Sequence, residues 1–281
     1  MTATPAVAYV TGKDAPDQEV GAALAAFAGQ GVAAEAVVWD DPAVAWDRFD
    51  AAVVRSTWDY TGRRDEFLAW ARRAAGLTRV CNPVPVLERN TDKTYLRELA
   101  LAGVPVVPTA WVGPGERLDG GTAPWPELVV KPTVSAGARD TVRTTDRAAA
   151  AAHADLLTAA GRTAMVQPYL PAVDGEGETS LVFIGGAFSH AVRRGPMLSG
   201  PEGRFADEPR RPDADQLAVA ERVLAAVPER AELLYARVDL VRGPEGTPLL
   251  IELELTEPRL FLQYEAGAPA RLAAAVRALA G

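Results

Sequence analysis

The 281-residue sequence predicts an α/β (α+β) fold, and three observations support this prediction. Short apolar segments alternate with helix-like segments over the first 81 residues, which is typical of parallel strands connected by helices. Two pairs of strand-like segments later in the chain are joined by glycine-containing turns, which indicates antiparallel hairpins. Three alanine-rich stretches favour helices because alanine has the highest helix propensity, and they lie at residues 22–28, 148–154 and 273–280.

The first part of the chain has the element order β-α-β-β-α-β. Strands are predicted at residues 6–11, 36–39, 51–55 and 78–81, and helices at residues 17–30 and 65–75. Because helices that connect parallel strands pack on the faces of their sheet, we expect a parallel sheet covered by helices. No G-x-G-x-x-G motif follows the first strand, which argues against a dinucleotide site and therefore against a Rossmann oxidoreductase.

The remaining elements follow from proline, glycine and apolar patterns. A proline- and asparagine-rich connection is predicted from residue 82, then a helix at residues 92–102, and a second helix at 146–160. Strands are predicted at residues 104–112, 128–132 and 164–170. The two hairpins are predicted at residues 179–184 with 187–193, through a Gly-Gly turn, and at residues 233–241 with 248–255, through a GPEG turn.

Composition excludes several classes of protein. The formal net charge of −8 disfavours a nucleic-acid partner, since phosphate binding calls for a basic surface. The single cysteine, Cys81, rules out an internal disulfide and is predicted to be structural. No apolar run is long enough to span a bilayer, and the N-terminus lacks the basic region and cleavage site of a signal peptide. We therefore expect a cytoplasmic protein without a membrane partner.

Three carboxylates are predicted to meet on the last hairpin. Glu252 and Glu254 are two residues apart in an otherwise apolar strand, so they face the same side, and hairpin pairing can bring Asp239 alongside them. Such like charges repel unless a hard cation such as Mg²⁺ neutralises them. The alternative is that the two glutamates face water, as acidic pairs do on many exposed strands. Asp239 shifts the balance towards a metal site.

Lysine is rare in this chain, which has 26 arginines but only Lys13, Lys93 and Lys131. Lysines among so many arginines can mark places that require a compact ammonium. Lys93 lies in the first turn of the helix predicted at residues 92–102, where the helix dipole disfavours a cation, so a nucleotide phosphate would explain its position. Lys131 lies near the end of a buried strand, and a buried lysine is rarely unpaired.

Two further segments are candidates for nucleotide contacts. The small residues Ser135, Ala136 and Gly137 form a turn whose backbone can approach phosphate oxygens, although any hairpin loop can have this composition. The strand that ends near Leu170 contains Pro168, which prevents regular pairing and can leave backbone groups available to an adenine edge. The alternative for this strand is an ordinary edge strand.

The segment RSTWDY, at residues 55–60, follows the third predicted strand. Because ligands of open α/β sheets collect at the carboxyl ends of strands, this segment is a candidate substrate site. Its candidate residues are Arg55, Ser56, Thr57 and Asp59. Arg55 could pair with a substrate carboxylate or phosphate, and Asp59 with an amino group. An equally supported alternative is a helix entry in which Ser56 or Thr57 acts as a local cap.

These segments, in their order and spacing, resemble the ATP-grasp superfamily, particularly its glutathione-synthetase-like branch. The resemblance rests on NTDK with Lys93, VVKP with Lys131, VQPYLP, RVD and IELELTEP, and it extends from about residue 6 to the final helix. More narrowly, RSTWDY, NPVPVLERNTDK, KPTVSAGARDT and ELELTEP resemble the O-ureidoserine cyclo-ligases, the ATP-grasp enzymes that close the cycloserine ring. The resemblance implies a Rossmann-like pre-ATP-grasp domain at residues 1–90, a central lid domain at 91–168 and a C-terminal ATP-grasp domain at 169–281.

The resemblance also implies roles for individual residues. ATP phosphates would contact Lys93, Lys131 and the loop containing Ser135, Ala136 and Gly137. The adenine would be held by Gln167, Tyr169 and Leu170, and the ribose by Glu178. Mg²⁺ would bind Asp239, Glu252 and Glu254, although Glu254 stands where the superfamily usually has asparagine, and the loop has fewer glycines than is typical. A tetrahedral oxyanion would be stabilised by Arg193, Arg194 or Arg237.

The function implied by the resemblance is ligation through an acyl phosphate. ATP would phosphorylate a substrate carboxylate, and a nitrogen of the same amino-acid-like molecule would close a ring, which points to antibiotic biosynthesis. One alternative is an intermolecular carboxylate-amine ligase, and another is a nucleotide-binding module without turnover. Dimers are common in similar enzymes, so a homodimer is a further expectation.

Overall fold

The structure, a computed structural model, describes residues 4–13, 15, 17–119, 121–198 and 206–280. Its strands form three sheets, of which the first and second have four strands each and the third has five. Parallel and antiparallel sheets therefore occur together with helices, which confirms the predicted α/β (α+β) class.

The first sheet is parallel and has the strand order β2-β1-β3-β4. Its strands are β1 (Ala6–Thr11), β2 (Ala33–Val38), β3 (Ala51–Ser56) and β4 (Arg79–Cys81), and the connecting helices are α1 (Val20–Gly29) and α2 (Arg64–Ala75). The first helix was predicted to begin at Asp17, but α1 begins at Val20. The Asp17 carboxylate instead accepts hydrogen bonds from the backbone N–H of Glu19 and the hydroxyl of Tyr9, at 2.8 and 2.7 Å.

Two short helices follow, α3 (Val84–Asn90) and α4 (Tyr95–Leu101). The prediction of an irregular connection from residue 82 was wrong because Pro85 lies in the first turn of α3, where its missing N–H leaves no hydrogen bond unmade. The helix predicted at residues 92–102 was too long. Lys93 precedes α4 and donates its backbone N–H to the Thr133 carbonyl at 3.0 Å. The helix-dipole argument for Lys93 therefore does not apply.

The second sheet is antiparallel, with the strand order β5-β8-β6-β7, and is covered by one helix. Its elements are β5 (Ala110–Val112), β6 (Leu128–Pro132), β7 (Val142–Thr144), α5 (Arg147–Ala159) and β8 (Ala164–Pro168). The strand predicted at residues 104–112 is shorter because Pro105 and Pro108 lack an N–H. Pro105 and Val107 instead exchange backbone hydrogen bonds with Leu250 of the third sheet.

The third sheet is antiparallel, with the strand order β11-β10-β9-β12-β13. Its elements are α6 (Ala172–Gly175), β9 (Glu178–Ile184), β10 (Ala187–Arg194), β11 (Glu208–Arg210), α7 (Ala214–Ala225), β12 (Tyr235–Arg242), β13 (Pro248–Glu254) and α8 (Ala268–Ala280). Both predicted hairpins, β9-β10 and β12-β13, are present. Helix α7 shares a hydrophobic core with this sheet, which leaves polar residues free to collect on the opposite face.

Buried polar contacts fix the first sheet against the third. The Asn82 amide donates to the carbonyls of Tyr235 and Leu255 at 2.9 and 2.8 Å, and its oxygen accepts from the Leu234 N–H at 2.7 Å. The Tyr235 hydroxyl contacts the carbonyls of Val54 on β3 and Cys81 on β4. These contacts place the ends of β3 and β4 beside the chain that leaves β13. No helix in the described ranges combines the length and the apolar character that crossing a membrane requires.

Candidate active site

A cavity of about 490 Å³ lies where the three sheets meet. The first sheet contributes Trp58 and Tyr60 from the segment after β3, and the second contributes Val129, Lys131 and the loop after β6. The third sheet contributes a row of charged side chains. The cavity therefore combines residues that are far apart in the sequence.

The charged row results from strand pairing. In β12 and β13, Arg237 pairs with Glu254 and Asp239 with Glu252, so all four side chains share one face of the sheet. In β9 and β10, Glu178 pairs with Arg194, which extends this face across the sheet. The register shift on β13 lies before Glu252, between Leu250 and Glu252, and leaves both glutamates on the cavity side. The prediction that Asp239 lies alongside Glu252 is confirmed.

Two guanidinium groups neutralise most of this row. Arg237 donates to both carboxylate oxygens of Asp239, at 2.9 and 2.8 Å, and also pairs with Glu254. Arg194 bridges Asp239 at 3.1 Å and Glu178 at 3.3 Å. Burial pushes the pKa of Asp239 up, but Arg237 and Arg194 outweigh it and lower the pKa. Asp239 therefore stays ionised and holds both guanidinium groups in place.

The pKa of Glu254 is shifted in the opposite direction from that of Asp239. Burial raises the pKa of Glu254 to about 7, with Arg237 opposing the shift and the carboxylates of Glu252 and Asp239 adding to it. Burial also raises the pKa of Glu178, against the effect of Arg194. An additional cation beside Glu252 and Glu254 would therefore be strongly attracted.

The carboxylates Glu252 and Glu254 fit a Mg²⁺ ion. Both reach the cavity, with 26% and 25% of their side chains exposed, and Mg²⁺ commonly uses one or two carboxylates together with phosphate oxygens. Asp239 is only 1% exposed and engaged by Arg194 and Arg237. Across the described ranges, no three acidic, histidine or cysteine side chains gather into a group that could hold a metal alone. The three carboxylates share one face, as predicted, but only Glu252 and Glu254 are accessible, while Asp239 anchors the two arginines. A metal site of all three carboxylates stays a prediction.

Both predicted phosphate lysines line the cavity. Lys93 Nζ donates to the Ser135 carbonyl at 2.7 Å and lies 3.1 Å from Glu252 Oε1. Burial lowers the pKa of Lys131, and the nearby Lys93 ammonium adds to this effect while Glu252 opposes it. Lys131 has no carboxylate within ion-pair distance in the part of the chain that the structure describes.

The predicted phosphate loop also borders the cavity, through Ser135, Ala136 and Gly137. Its two residues Gly137 and Ala138 have φ angles of 63° and 57°, a left-handed conformation that alanine rarely adopts. Successive residues in unusual backbone conformations can turn N–H groups towards an anion. The Lys93 ammonium contacts both the Ser135 carbonyl of this loop and the Glu252 carboxylate, so it links the loop to the carboxylate pair.

The predicted adenine contacts Gln167, Tyr169 and Leu170 do not line this cavity, and their role stays a prediction. The backbone N–H of Tyr169 donates to the Glu127 carbonyl, and the Leu170 carbonyl accepts from the Val173 N–H. The side-chain amide of Gln167 donates to the Thr109 hydroxyl at 2.8 Å. These three groups are therefore already engaged within the protein. The apolar part of the cavity lies instead between Val129 of β6 and Ile251 of β13, with Leu198 beside them.

The predicted substrate residues of the RSTWDY segment point away from the cavity. Arg55 is 2% exposed and pairs with Glu19 at 3.0 Å. Asp59 accepts hydrogen bonds from Trp39 Nε1 at 3.2 and 3.1 Å. The hydroxyls of Ser56 and Thr57 are buried without a hydrogen-bond partner among the described residues. None of the four lines the cavity.

Of the three predicted catalytic arginines, Arg194 and Arg237 line the cavity and Arg193 does not. Successive strand residues face opposite sides, so Arg193 lies on the other face, where it donates to the carbonyls of Glu176 and Gly175 at 2.7 and 2.6 Å.

Several cavity residues were missed by the sequence analysis. They include Trp58, Tyr60, Val129, Ile251, Glu257 and Arg259. The signal for two of them was present: Glu257 and Arg259 directly follow the ELELT motif, at the end of a strand whose other acids were recognised. Trp58 and Tyr60 alternate with the chosen RSTWDY residues, and only contact with the third sheet reveals which set faces the cavity.

Comparisons with known proteins identify the relatives of this chain. Residues 7–82 match the model of the N-terminal domain of D-cycloserine synthetase DcsG. The cycloserine biosynthesis protein DcsG of Streptomyces lavendulae is 38% identical over 265 residues, which cover 88% of this chain and 88% of that protein. The crystal structure of D-cycloserine synthetase DcsG superposes with a TM-score of 0.90 at 36% identity, covering 98% of this chain and 100% of that one. A structure of the ATP-grasp ligase PsnB, complexed with a phosphomimetic variant of its minimal precursor, Mg and ADP, has a TM-score of 0.69 at 17% identity, with 99% of both chains covered.

Proposed function

Because this chain belongs to the D-cycloserine synthetase family of ATP-grasp ligases, we propose that it cyclises an O-ureidoserine-like amino acid to cycloserine, using ATP and Mg²⁺. The observation that carries this proposal is the single cavity that combines two lysines, a small-residue loop, two accessible carboxylates and two guanidinium groups. Such a set suits ATP phosphates on one side and a carboxylate that becomes an acyl phosphate on the other.

The nucleotide is assigned to the side of the cavity formed by the second sheet. Lys93, Lys131 and the loop at residues 135–138 offer the positive charge and backbone groups that phosphates require. The apolar surfaces of Val129 and Ile251 suit the two faces of an adenine ring. Glu178 lines the same cavity and is assigned to the ribose. The structure of PsnB, an ATP-grasp ligase of the same fold, contains Mg and ADP, which supports the use of a nucleotide and a divalent metal.

The metal is assigned to Glu252 and Glu254, with Asp239 joining only if Arg194 or Arg237 releases its carboxylate. A bound Mg²⁺ ion would neutralise phosphate charge during phosphoryl transfer. Before it binds, Glu252 is held by Lys93 and Glu254 by Arg237. These cations offset part of the repulsion between the two carboxylates.

The proposed reaction has three steps: phosphorylation, ring closure and removal of the carbamoyl group. A carboxylate oxygen of the substrate attacks the γ-phosphorus of ATP, which breaks the bond to ADP and forms an acyl phosphate. The nitrogen bonded to the side-chain oxygen then attacks the acyl carbon and loses its proton, and phosphate leaves as the five-membered ring closes. Water removes the carbamoyl group from that nitrogen as carbamate, which decomposes to carbon dioxide and ammonia.

The guanidinium groups are assigned to the ring-closing step. As the nitrogen attacks the acyl carbon, the oxygen bonded to that carbon becomes negatively charged, and a hydrogen-bond donor that is already fixed stabilises it without a reorganisation cost. Arg237 is 4% exposed, is held by two hydrogen bonds to Asp239 and lines the cavity, which makes it the preferred donor. Arg194 is held by the same carboxylate and lies next to it. Ring closure within one molecule requires no second substrate pocket.

The three sheets support a division of labour along the chain. The unit at residues 1–90 is assigned to the amino-acid substrate, the unit at 91–168 to covering the nucleotide, and the unit at 169–281 to the metal and the reacting groups. A lid over the cavity would protect the acyl phosphate from water. The small amino-acid-like substrate would enter beside Trp58 and Tyr60, the two cavity residues of the first unit.

The decisive experiment is turnover by the purified chain. Each enantiomer of O-ureidoserine is mixed with ATP and MgCl₂, and ADP and cycloserine are measured together. We expect one cycloserine for each ADP with one enantiomer, and no ADP when the amino acid is omitted. ADP release only after addition of a second amino acid would indicate an intermolecular ligase, and ATP binding without ADP release would indicate a nucleotide-binding module.

A further inference from the structure

The cavity holds one carboxylate that the nucleotide and the metal do not use. Within the described residues its lining includes Glu178, Glu252, Glu254 and Glu257. The first three are paired with Arg194, Lys93 and Arg237, respectively. Glu257 is the exception, since no ion pair is formed by it in the described part of the chain, although it is only 8% exposed.

The backbone of Glu257 is fixed to the first unit. Trp58 Nε1 donates a hydrogen bond to the Glu257 carbonyl at 3.2 Å. The Tyr60 hydroxyl acts on the Glu257 carboxyl as a hydrogen-bond donor. Trp58 and Tyr60 are the two cavity residues contributed by the segment after β3. Glu257 therefore lies on the side of the cavity where the first unit meets the third sheet.

The charge around Glu257 is incomplete in the absence of a ligand. Burial raises the pKa of its carboxyl to about 8, and the carboxylate of Glu254 contributes to this shift while Lys93 and Tyr60 oppose it. A buried carboxylate without a cationic partner is costly, and a ligand cation that reaches it removes that cost. The position thus favours a ligand with a positive charge.

The proposed substrate carries one such charge. An O-ureidoserine-like amino acid has a carboxylate, which must lie near the phosphates and Arg237, and one α-ammonium group. We propose that Glu257 is the acceptor for the substrate ammonium and that Tyr60 orients its carboxyl. This inference rests on the proposed function. It makes Glu257 a specificity residue that selects amino acids over carboxylic acids without an amino group.

The test compares two substrates in two proteins. The substrates are O-ureidoserine and 3-(ureidooxy)propanoic acid, which has the same skeleton with hydrogen in place of the amino group. In the unmodified chain, loss of the amino group should raise KM, or the inhibition constant if this compound is not turned over, by about 10- to 100-fold, which is the usual effect of a lost charge-assisted hydrogen bond. Glu257→Gln should raise KM for O-ureidoserine by a similar factor. It should have no further effect on the deaminated compound, because the two changes remove the same contact.

Controls separate this inference from its premise. Glu245→Gln changes an exposed carboxylate in the turn before β13 and should leave all constants unchanged. The dissociation constant of ATP, measured by calorimetry, checks that Glu257→Gln is folded and binds nucleotide normally. Glu257→Asp keeps the charge and should give a KM between those of the parent and the glutamine variant, which provides a second test if glutamine is not tolerated.

The outcomes are distinguishable. If the unmodified chain releases no ADP with O-ureidoserine, the proposed function fails. If it turns over and Glu257→Gln keeps the parent KM, only the ammonium site is wrong. If Glu257→Gln lowers kcat equally for both compounds at constant KM, Glu257 acts in the chemical step, which also overturns the ammonium site.

Discussion

Arg55 and Arg237 are both buried arginines on strands, and each is paired with a carboxylate, yet only one of them borders the cavity. Arg55 is 2% exposed and its pair with Glu19 is enclosed on all sides. Arg237 is 4% exposed, but its second partner, Glu254, is 25% exposed and reaches the cavity. Burial of the arginine itself therefore does not distinguish the enclosed pair from the pair that borders the cavity. The exposure of the partner does.

The enclosed pair nevertheless supports the open one. The Glu19 carboxylate accepts hydrogen bonds from Arg55 at 3.0 Å and from the backbone N–H groups of Leu260 and Leu262, both at 2.9 Å. In the same segment, the Arg259 carbonyl accepts from Arg237 at 3.1 Å. The Glu19-Arg55 pair thus fixes the chain that borders the cavity, and Arg237 is held by that chain.

The largest effect is expected from a change among the charged residues that line the cavity. Glu252→Gln should lower kcat at least about 1,000-fold, or roughly 4 kcal/mol in the activation free energy, because it weakens the assigned metal site while leaving a side chain of the same size. The measurement is steady-state ADP release over a range of MgCl₂ concentrations.

Glu245→Gln, in the exposed turn before β13, is the matched control and should keep the parent rate. The melting temperature of Glu252→Gln should remain close to that of the parent, since Glu252 is only partly buried. An unchanged kcat at saturating Mg²⁺ would remove Glu252 from the metal site.

The next largest effect should come from the enclosed region. Arg55→Met and Glu19→Gln should each lower the free energy of unfolding by about 3 kcal/mol, because either change leaves a buried charge without its partner. Denaturant titration measures this loss. In the folded fraction, Arg55→Met should keep the parent KM for the amino-acid substrate. Normal stability with a raised KM would instead restore Arg55 to the substrate site.

The sequence was sufficient where a local pattern determines the structure. Alternation within one hairpin placed Asp239, Glu252 and Glu254 on one face, and the turn residues defined the pairing. The rarity of lysine singled out Lys93 and Lys131, which both line the cavity. The first parallel sheet followed from its element order.

The sequence was insufficient where distant segments decide. The contact between β3 and Tyr235 of the third sheet determines which side of RSTWDY faces the cavity, and no local pattern encodes it. The apolar part of the cavity is formed by Val129 and Ile251, which come from two different sheets. Likewise, Asp239 is a plausible metal ligand in its own hairpin, and only Arg194 from β10 completes the pairing that buries it.

A smaller effect is expected for Lys131, a cavity residue, than for the changes above. Lys131→Ala should weaken ATP binding by about 10- to 100-fold, because it removes a charge-assisted contact to a phosphate. Lys13→Ala is the control, since Lys13 is exposed and does not line the cavity. Calorimetry with ATP and Mg²⁺ measures both. Equal affinities in the two variants would contradict the assignment of Lys131.

The smallest effect is expected for two adjacent residues, Asp59 and Tyr60, of which only Tyr60 lines the cavity. Tyr60→Phe should raise KM for the amino-acid substrate about two- to fivefold, because it removes one hydrogen bond to Glu257 in the cavity, and such a bond contributes about 0.5 to 1 kcal/mol. Asp59→Asn should leave this KM unchanged, since the Asp59 carboxylate accepts from Trp39 outside the cavity and an amide oxygen can replace it. Steady-state kinetics with both variants provide the measurement. A raised KM in Asp59→Asn alone would show that substrate contacts the outer side of RSTWDY, and the assignment of the two sides would then have to be reversed.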